Sequence, residues 1–279
     1  MSVVIPVFNN RATLGPVLAA LNAQDYPRLE VIVADNNSTD GSPDVAIAHG
    51  ATVVFERETQ GSYAARNKGI AAAKGDILAF LDGDCRPRPD WLSNAVAAMR
   101  RAGADLAGGR IDIEAGAGGS GLLAAYERLS YVRQEETIRD HGTSAGGNLL
   151  IARRVIDAIG PFRAELRSGG DGEICVRARR AGFAIVYAGD AVVSHTAVNS
   201  VRTLLKRYHR LGKGEAELAA FGVAPIRAGG SSYLSRKRAY LRRVWAERAL
   251  SPPGRLAIVA LNLAASVAQW LGRRAGRHA

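Results

Sequence analysis

The sequence predicts an α/β fold, a sheet flanked by helices, carrying a basic helical extension at its C-terminal end. Three observations point there. The first 110 residues alternate short β-branched runs with apolar residues at helical spacing. Two of those runs deliver acids at their ends, at Asp35 and at Asp82/Asp84. Positive charge collects late: residues 201–279 hold 16 Lys/Arg against 3 Asp/Glu, a net of +13, whereas residues 1–200 hold 21 against 23, a net of −2.

The elements follow in order. Ser2–Val7 (SVVIPV) is a β-branched run closed by Pro6 and Asn9, and Ala12–Ala23 has helical spacing. Glu30–Asp35 (EVIVAD) is a buried strand ending in an acid, followed by the turn-rich NNSTDGS. Thr52–Glu56 is a third strand, and Ser62–Lys74 is an amphipathic helix stopped by Gly75. Asp76–Leu81 (DILAFL) is a fourth strand that delivers Asp82-Gly83-Asp84. The Cys85-Arg86-Pro87 that follows has no assigned role and reads as a stiff turn before a helix beyond Pro89.

The glycine-rich break AGAGGSG occupies 115–121, and a helical pattern resumes over Leu122–Asp140. TSAGGNLLIARR leads into a strand. RSGGDGEICVRARRAGF reads as a loop with Asp171 and Glu173, then a short helix with Arg177, Arg179 and Arg180. Ala184–Tyr187 and Ala191–Ser194 are short strands ending at His195. Beyond them Val201, Leu204, Leu205, Tyr208 and Leu211 form one apolar helical face among basic residues. Leu256–Gly272 is an uncharged run of 17 residues, short of the ~20 that span a bilayer and interrupted by Asn262, Ser266 and Gln269. It reads as a buried or interfacial helix rather than a spanning one.

Composition excludes several classes. Apolar content of 47% and charge of 23% are globular values, not those of a disordered chain. Two cysteines without CxxC spacing oppose a disulfide framework or a thiolate zinc site and fit a reducing compartment. MSVVIPVFNN lacks the charge and the apolar stretch of a secretory leader. Because the net charge of +11 belongs to the extension alone, a nucleic-acid cleft is not expected, and a meeting with an anionic surface is.

Four places could carry chemistry. Asp82 and Asp84, separated by the small Gly83, either share a divalent cation or form a solvated turn. Asp35 and Asn36 either meet the edge of a nucleobase or make an Asx turn with capping by Ser38 or Asp40. Asp171 is either a general base toward a hydroxyl or a helix cap. His195, at a strand end, is either a metal ligand or a satisfied core histidine.

VVIPVFNN, EVIVADNNSTDGS, QGSYAARNKGIAAAKGDILAFLDGDCRPRPDWL, GGNLLIARR and SGGDGEICVRARRAGF occur in this order. Over about residues 1–212 the chain resembles the family 2 glycosyltransferases, bacterial-type inverting enzymes of the GT-A fold. The resemblance implies a Rossmann-like mixed sheet flanked by helices. It divides the chain into a catalytic domain, 1–200, and a basic extension, 201–279; the domain has a nucleotide-binding half, 1–110, and an acceptor half, 111–200.

It further implies that Pro6, Val7, Phe8, Asp35 and Asn36 hold the nucleotide base and that Arg66 and Asn67 border its pocket. Asp82 with Gly83 then lies near the ribose, while Asp84, with Asp82 and His195, holds Mg²⁺ or Mn²⁺ at the diphosphate. Asp171 is the implied catalytic base, with Gly170 standing where relatives carry a Glu. The reaction implied is sugar transfer from a nucleotide-diphosphate donor, UDP favoured, to a hydroxyl of a lipid-linked or envelope glycan. The basic helices suit the anionic inner face of a membrane, or else pack on the catalytic domain or a second subunit. The rival readings are a nucleotide-sugar-binding protein without turnover and a sugar nucleotidylyltransferase; the latter usually carries an N-terminal glycine-rich loop that VIPVFNN lacks.

Overall fold

The computed structural model describes residues 1–116, 118–130, 133–223 and 233–276. These residues divide into two compact units, 1–112 with 134–195, and 113–133 with 196–279.

The first unit opens with β1 (Ser2–Val7), α1 (Arg11–Asn22), β2 (Glu30–Asp35), α2 (Ser42–Ala48), β3 (Thr52–Phe55), α3 (Ser62–Ala72) and β4 (Ile77–Leu81). β5 (Cys85–Pro87), α4 (Trp91–Ala102), β6 (Leu106–Glu114), α6 (Gln134–His141), β7 (Asn148–Ala152), α7 (Arg153–Ile159), α8 (Gly170–Arg180) and β8 (Ile185–Thr196) complete it, with α5 (Gly121–Ser130) intervening in the chain. One eight-stranded sheet runs β3-β2-β1-β4-β7-β6-β8-β5. β1 pairs in parallel with β2 and with β4, while β7 is antiparallel to β4 and to β6. The strands read as unbroken aliphatic runs because helices cover both faces of the parallel part.

This order reverses the succession of strands at β1: β2 and β3 follow on one side of it and β4 on the other, all parallel to it. β4 pairs with Ser2–Val4 of β1, so Pro6 lies past the last residue paired on that side, while on the other side it stands opposite Ala34 of β2. A proline that cannot donate to a ladder is tolerated there. Open α/β sheets bind ligands at such a point, outside the carboxyl ends of the strands. Asp35 ends β2, and Asp82 follows β4.

Several boundaries differ from the sequence reading. The helical pattern over Leu122–Asp140 is two helices, α5 and α6, and residues 131–132 lie outside the described residues. Cys85–Pro87 is a short strand, antiparallel to β8, rather than a turn. The two strands expected before His195 are one, β8. Asp171 and Glu173 lie in the first turn of α8, not in a loop, where carboxylates complement the helix dipole. Glu173 is buried and ion-paired with Arg163 at 3.0 Å and Arg177 at 2.9 Å. Arg177 also donates to the carbonyls of Gly160 and Pro161, which latches α8 to that turn.

The second unit adds α9 (Val201–Ala220), α10 (Tyr233–Ala246) and α11 (Pro252–Gly276). Leu123 and Tyr126 of α5 share its core with Leu204, Tyr208, Tyr240, Val244 and Ile258. That is why 113–133 belongs with the extension and not with an acceptor half running unbroken from 111 to 200. α9 and α11 approach backbone to backbone where Gly212 faces Gln269 and Gly272 faces His209; a Cβ on either glycine would overlap a carbonyl. Residues 224–232 and 277–279 of the extension lie outside the described residues.

The framework under the first unit's sheet depends on Asn148. Its side chain is fully buried; Oδ1 accepts from the Trp91 indole at 2.8 Å, and Nδ2 donates to the carbonyls of Arg110 (2.9 Å) and Ala191 (3.0 Å). Asn148→Ala leaves an indole N–H and two carbonyls without partners in the core, and a loss of about 3 kcal/mol or more is expected. Urea unfolding checks this; a loss below about 1 kcal/mol would contradict the account.

Candidate active site

The site is assembled around Asp82. Arg66, in the second turn of α3, is buried and donates from Nη2 to Asp82 Oδ1 at 2.6 Å. Its guanidinium lies 5.5 Å from the Tyr63 ring centre and 5.8 Å from that of Phe162. Asp84 meets His195 instead, with Oδ2 3.5 Å from Nε2. Each member of the crowded pair therefore has its own cationic or titratable neighbour. The enclosed setting pushes the Asp82 carboxyl above the ordinary aspartate range; Arg66 pulls it down, and Asp84 pushes it up further.

Asp171 stands on the other side of Arg66. Its Oδ2 accepts from the Gly146 backbone N–H at 2.8 Å, and its Oδ1 accepts from the Tyr63 hydroxyl at 3.2 Å and the Gly172 N–H at 3.1 Å. Burial, with Asp171 adding, holds the Tyr63 hydroxyl far above its usual range, so it stays a donor. The Gly146-Gly147 turn fits between the acids. A Cβ at Gly146 would come 3.0 Å from Arg66 Nη2, and one at Gly147 would come 2.9 Å from Asp82 Oδ2. A Cβ at Gly170 would lie 2.9 Å from the Tyr63 ring, so the aromatic ring borders the place where the resemblance led one to expect a Glu.

At the carboxyl ends of β1 and β2, Asp35 is buried. Its Oδ1 accepts from the Ser38 N–H at 3.2 Å, while Oδ2 has no hydrogen-bond partner among the described residues. A buried carboxylate oxygen in that state is available to a ligand N–H or O–H. Phe8 is 53% exposed beside it, a face open to stacking. Asn9, in the left-handed region at φ 54°, accepts from the Thr39 N–H at 2.8 Å and ties the two strand exits together.

Some expected contacts are engaged elsewhere. Asn36 donates to the carbonyls of Glu56 and Thr59, both at 2.9 Å, and accepts from the Gly61 N–H at 2.6 Å. Its amide holds the 56–61 loop and has little left for a nucleobase. Asn67 clasps the Phe162 backbone, donating at 2.8 Å and accepting at 3.0 Å, and so ties α3 to the turn before α8. Val7 is buried, with its carbonyl taking the Asn36 N–H at 2.8 Å. The Gly83 carbonyl accepts from Thr13 Oγ1 at 2.8 Å, which fixes the turn between the two acids.

The group whose ligand atoms could hold a metal ion is Asp84, Cys85 and His195, all within 4.8 Å of one another. Among the described residues Asp82 is not in that group; its Oδ1 is engaged by Arg66. A carboxylate and an imidazole are ordinary donors for a divalent ion, so the residues fit such an ion. Two participants escaped the sequence reading. Tyr63 precedes Arg66 by one helical turn, a spacing that places both on one face. Cys85 was legible only as the neighbour of Asp84.

A model of Glycosyl transferase family 2 matches residues 2–160. The chain belongs to that family. It is 36% identical over 225 residues to glycosyltransferase AglE of Haloferax volcanii, covering 78% of this chain and 73% of that one. It is 30% identical over 231 residues to the pre-mycofactocin glycosyltransferase of Mycobacterium tuberculosis, of whose length it spans about half, 47%.

Among solved structures it is similar to the mannosyltransferase PcManGT of Pyrobaculum calidifontis in complex with GDP-Man and Mn²⁺. The TM-score is 0.63 at 22% identity, covering 99% of this chain and 84% of that one. It is also similar to glucosyl-3-phosphoglycerate synthase of Mycobacterium tuberculosis with Mn²⁺, UDP and phosphoglyceric acid, at TM-score 0.58 and 23% identity, covering 80% of this chain and 78% of that one. These likenesses carry the fold, GT-A.

The Asp82 environment makes a pH-dependent prediction. A folded carboxyl raised above its unfolded value favours the fold at acid pH, and that contribution is lost as pH rises through the raised pKa. A nearby divalent cation opposes the shift, so the rise in Tm caused by Mn²⁺ should be larger at a pH above that raised pKa than at one below it. Equal shifts at both pH values would contradict this electrostatic description.

Proposed function

We propose that the protein transfers a sugar from a nucleoside-diphosphate donor to a hydroxyl by a single inverting displacement, with Asp171 as the base. The observation that carries this reading is the convergence of Asp84 with His195, and of Asp171 with Gly146 and Tyr63, around one Arg66–Asp82 pair.

Asp84 and His195 would hold a Mg²⁺ or Mn²⁺ ion, which supplies charge neutralisation for the departing diphosphate. The Arg66–Asp82 pair keeps that region ordered between α3 and the end of β4. Asp35 Oδ2 offers an acceptor to the nucleobase or ribose, and Phe8 offers a stacking face. UDP and GDP both carry a suitable N–H, so the preference for UDP rests on the sequence resemblance. Asp171 takes the acceptor hydroxyl's proton; the three donors on its carboxylate fix its orientation without supplying an acid that would neutralise it.

The acceptor side is read from the second unit. α11 is long and apolar enough, by length and composition, to cross a membrane. Its buried positions Ile258, Ala265, Gln269 and Gly272 face inward within its own unit. Leu256, Leu263, Val267, Trp270 and Leu271 are exposed, and Arg274 lies 4.9 Å from the Trp270 ring centre. An apolar face edged by tryptophan and arginine suits the interface of an anionic bilayer, where each basic residue adds about 1 kcal/mol. We read the protein as peripheral on the cytoplasmic face of a membrane and its acceptor as lipid-linked or an envelope glycan.

Two sets of variants test the reading. Asp171→Asn should leave the Tm rise with UDP or GDP plus Mn²⁺ intact and lower turnover about 10²–10⁴-fold, while Asp84→Ala should remove the Mn²⁺-dependent rise. Full turnover in the first, or an unchanged rise in the second, would sink the assignment. Leu263→Asp with Val267→Asp changes exposed positions and should free the chain from anionic liposomes without altering its helix content. Sedimentation that persists would show that α11 is not the anchor.

A further inference from the structure

Cys85 is the member of the metal-capable group that sugar transfer leaves without a task. It follows Asp84 directly, begins β5 and lies opposite His195 in the antiparallel pair, so the two side chains leave the same face of the sheet. Its sulfur is 3.8 Å from Asp84 Oδ1, and Asp84 Oδ2 is 3.5 Å from His195 Nε2. A tetrahedral ion with bonds of about 2.3 Å to sulfur and about 2.0–2.2 Å to nitrogen and oxygen holds its ligand atoms roughly 3.3–3.6 Å apart. One ligand atom from each side chain lies within 4.8 Å of the others, so small side-chain movements reach that spacing; Cys85 and His195 stand on paired strands and Asp84 in the turn that enters β5.

We propose that Cys85 makes this a thiophilic metal site. Zn²⁺ and ions of similar softness, Co²⁺ and Cd²⁺, bind through Cys85 Sγ, His195 Nε2 and Asp84, and displace the harder ion that serves the diphosphate. As the metal–sulfur bond forms, the thiol proton passes to solvent; no oxidant or reductant takes part. Mg²⁺ prefers oxygen and leaves the S–H intact, so the two kinds of ion use the same place differently. An ion held by three protein ligands in a tetrahedral site keeps one position open. A diphosphate bridged through two oxygens needs two, so Zn²⁺ should inhibit donor binding. The inhibitory half of this inference rests on the donor-site reading above; the sulfur ligation does not.

The full chain, stripped of metal, is titrated with Co²⁺ and followed by absorbance. A thiolate-to-cobalt charge-transfer band in the near ultraviolet should rise to saturation at one Co²⁺ per chain and collapse when Zn²⁺ is added. Cys85→Ser should abolish the band, and Cys175, buried in α8, remains as the internal control. His195→Gln keeps the sulfur and should weaken Co²⁺ about tenfold or more, which decides the matter even where Cys85→Ser fails to fold. A wild-type chain without the band, a band that survives Cys85→Ser, or unchanged affinity in His195→Gln would overturn the proposal. Mn²⁺-dependent UDP or GDP binding is measured on the same wild-type samples. Its loss on adding Zn²⁺ supports the inhibitory half, and its absence from the outset sinks the donor-site reading while the band still decides the sulfur ligation.

Discussion

Two carboxylates one residue apart, Asp82 and Asp84, just past the end of β4 are the constraint around which the site is organised. Like charges that close repel, and with both side chains only partly exposed, at 42% and 39%, solvent screens that repulsion incompletely. The protein separates the problem. Arg66 reaches Asp82 from α3, and His195 reaches Asp84 from β8. Neither partner is local in sequence, so both the sheet order and the packing of α3 are needed to bring them in. On the reading proposed above, a divalent ion held by Asp84 and His195 would complete the compensation on that side.

The neighbouring features follow from enclosing that charge. The Gly146-Gly147 turn lets backbone come within reach of Arg66, Asp82 and Asp171 where an added side chain would crowd the Arg66 guanidinium and the Asp82 carboxylate. Asn148 then anchors the turn by engaging Trp91 and two carbonyls, so the donors to Asp171 are held by a buried frame. Tyr63 occupies the space against Gly170 and adds a neutral donor to Asp171. Where the resemblance led one to expect a Glu before Asp171, the Tyr63 ring borders Gly170 instead.

Much of the first unit is legible in the sequence because its strands are uninterrupted aliphatic runs ending in acids, and parallel strands buried on both faces have that pattern. The last third of the sheet is less so. β5 is three residues long, and β8 keeps its pairing through Gly189 and Asp190, which look like a turn in isolation. The loop-holding bonds of Asn36 and Asn67 are hidden for a different reason. An amide reads identically whether it faces a ligand or a carbonyl of its own chain, and only the fold shows that both hold loops. The membership of 113–133 in the second unit depends on tertiary packing of Tyr126 against Tyr208, 6.3 Å between ring centres, which no local pattern announces.

On the proposed reading, Asp84 with His195 on one side of the Arg66–Asp82 pair and Asp171 on the other serve a metal-assisted transferase rather than a nucleotide-binding module. Release of nucleoside diphosphate from a panel of UDP- and GDP-sugars, followed with Mn²⁺ and then after chelation, tests that claim most directly. The account predicts slow release that stops when the metal is removed and returns when it is restored. Tight donor binding with no release at all, or release indifferent to chelation, would contradict it.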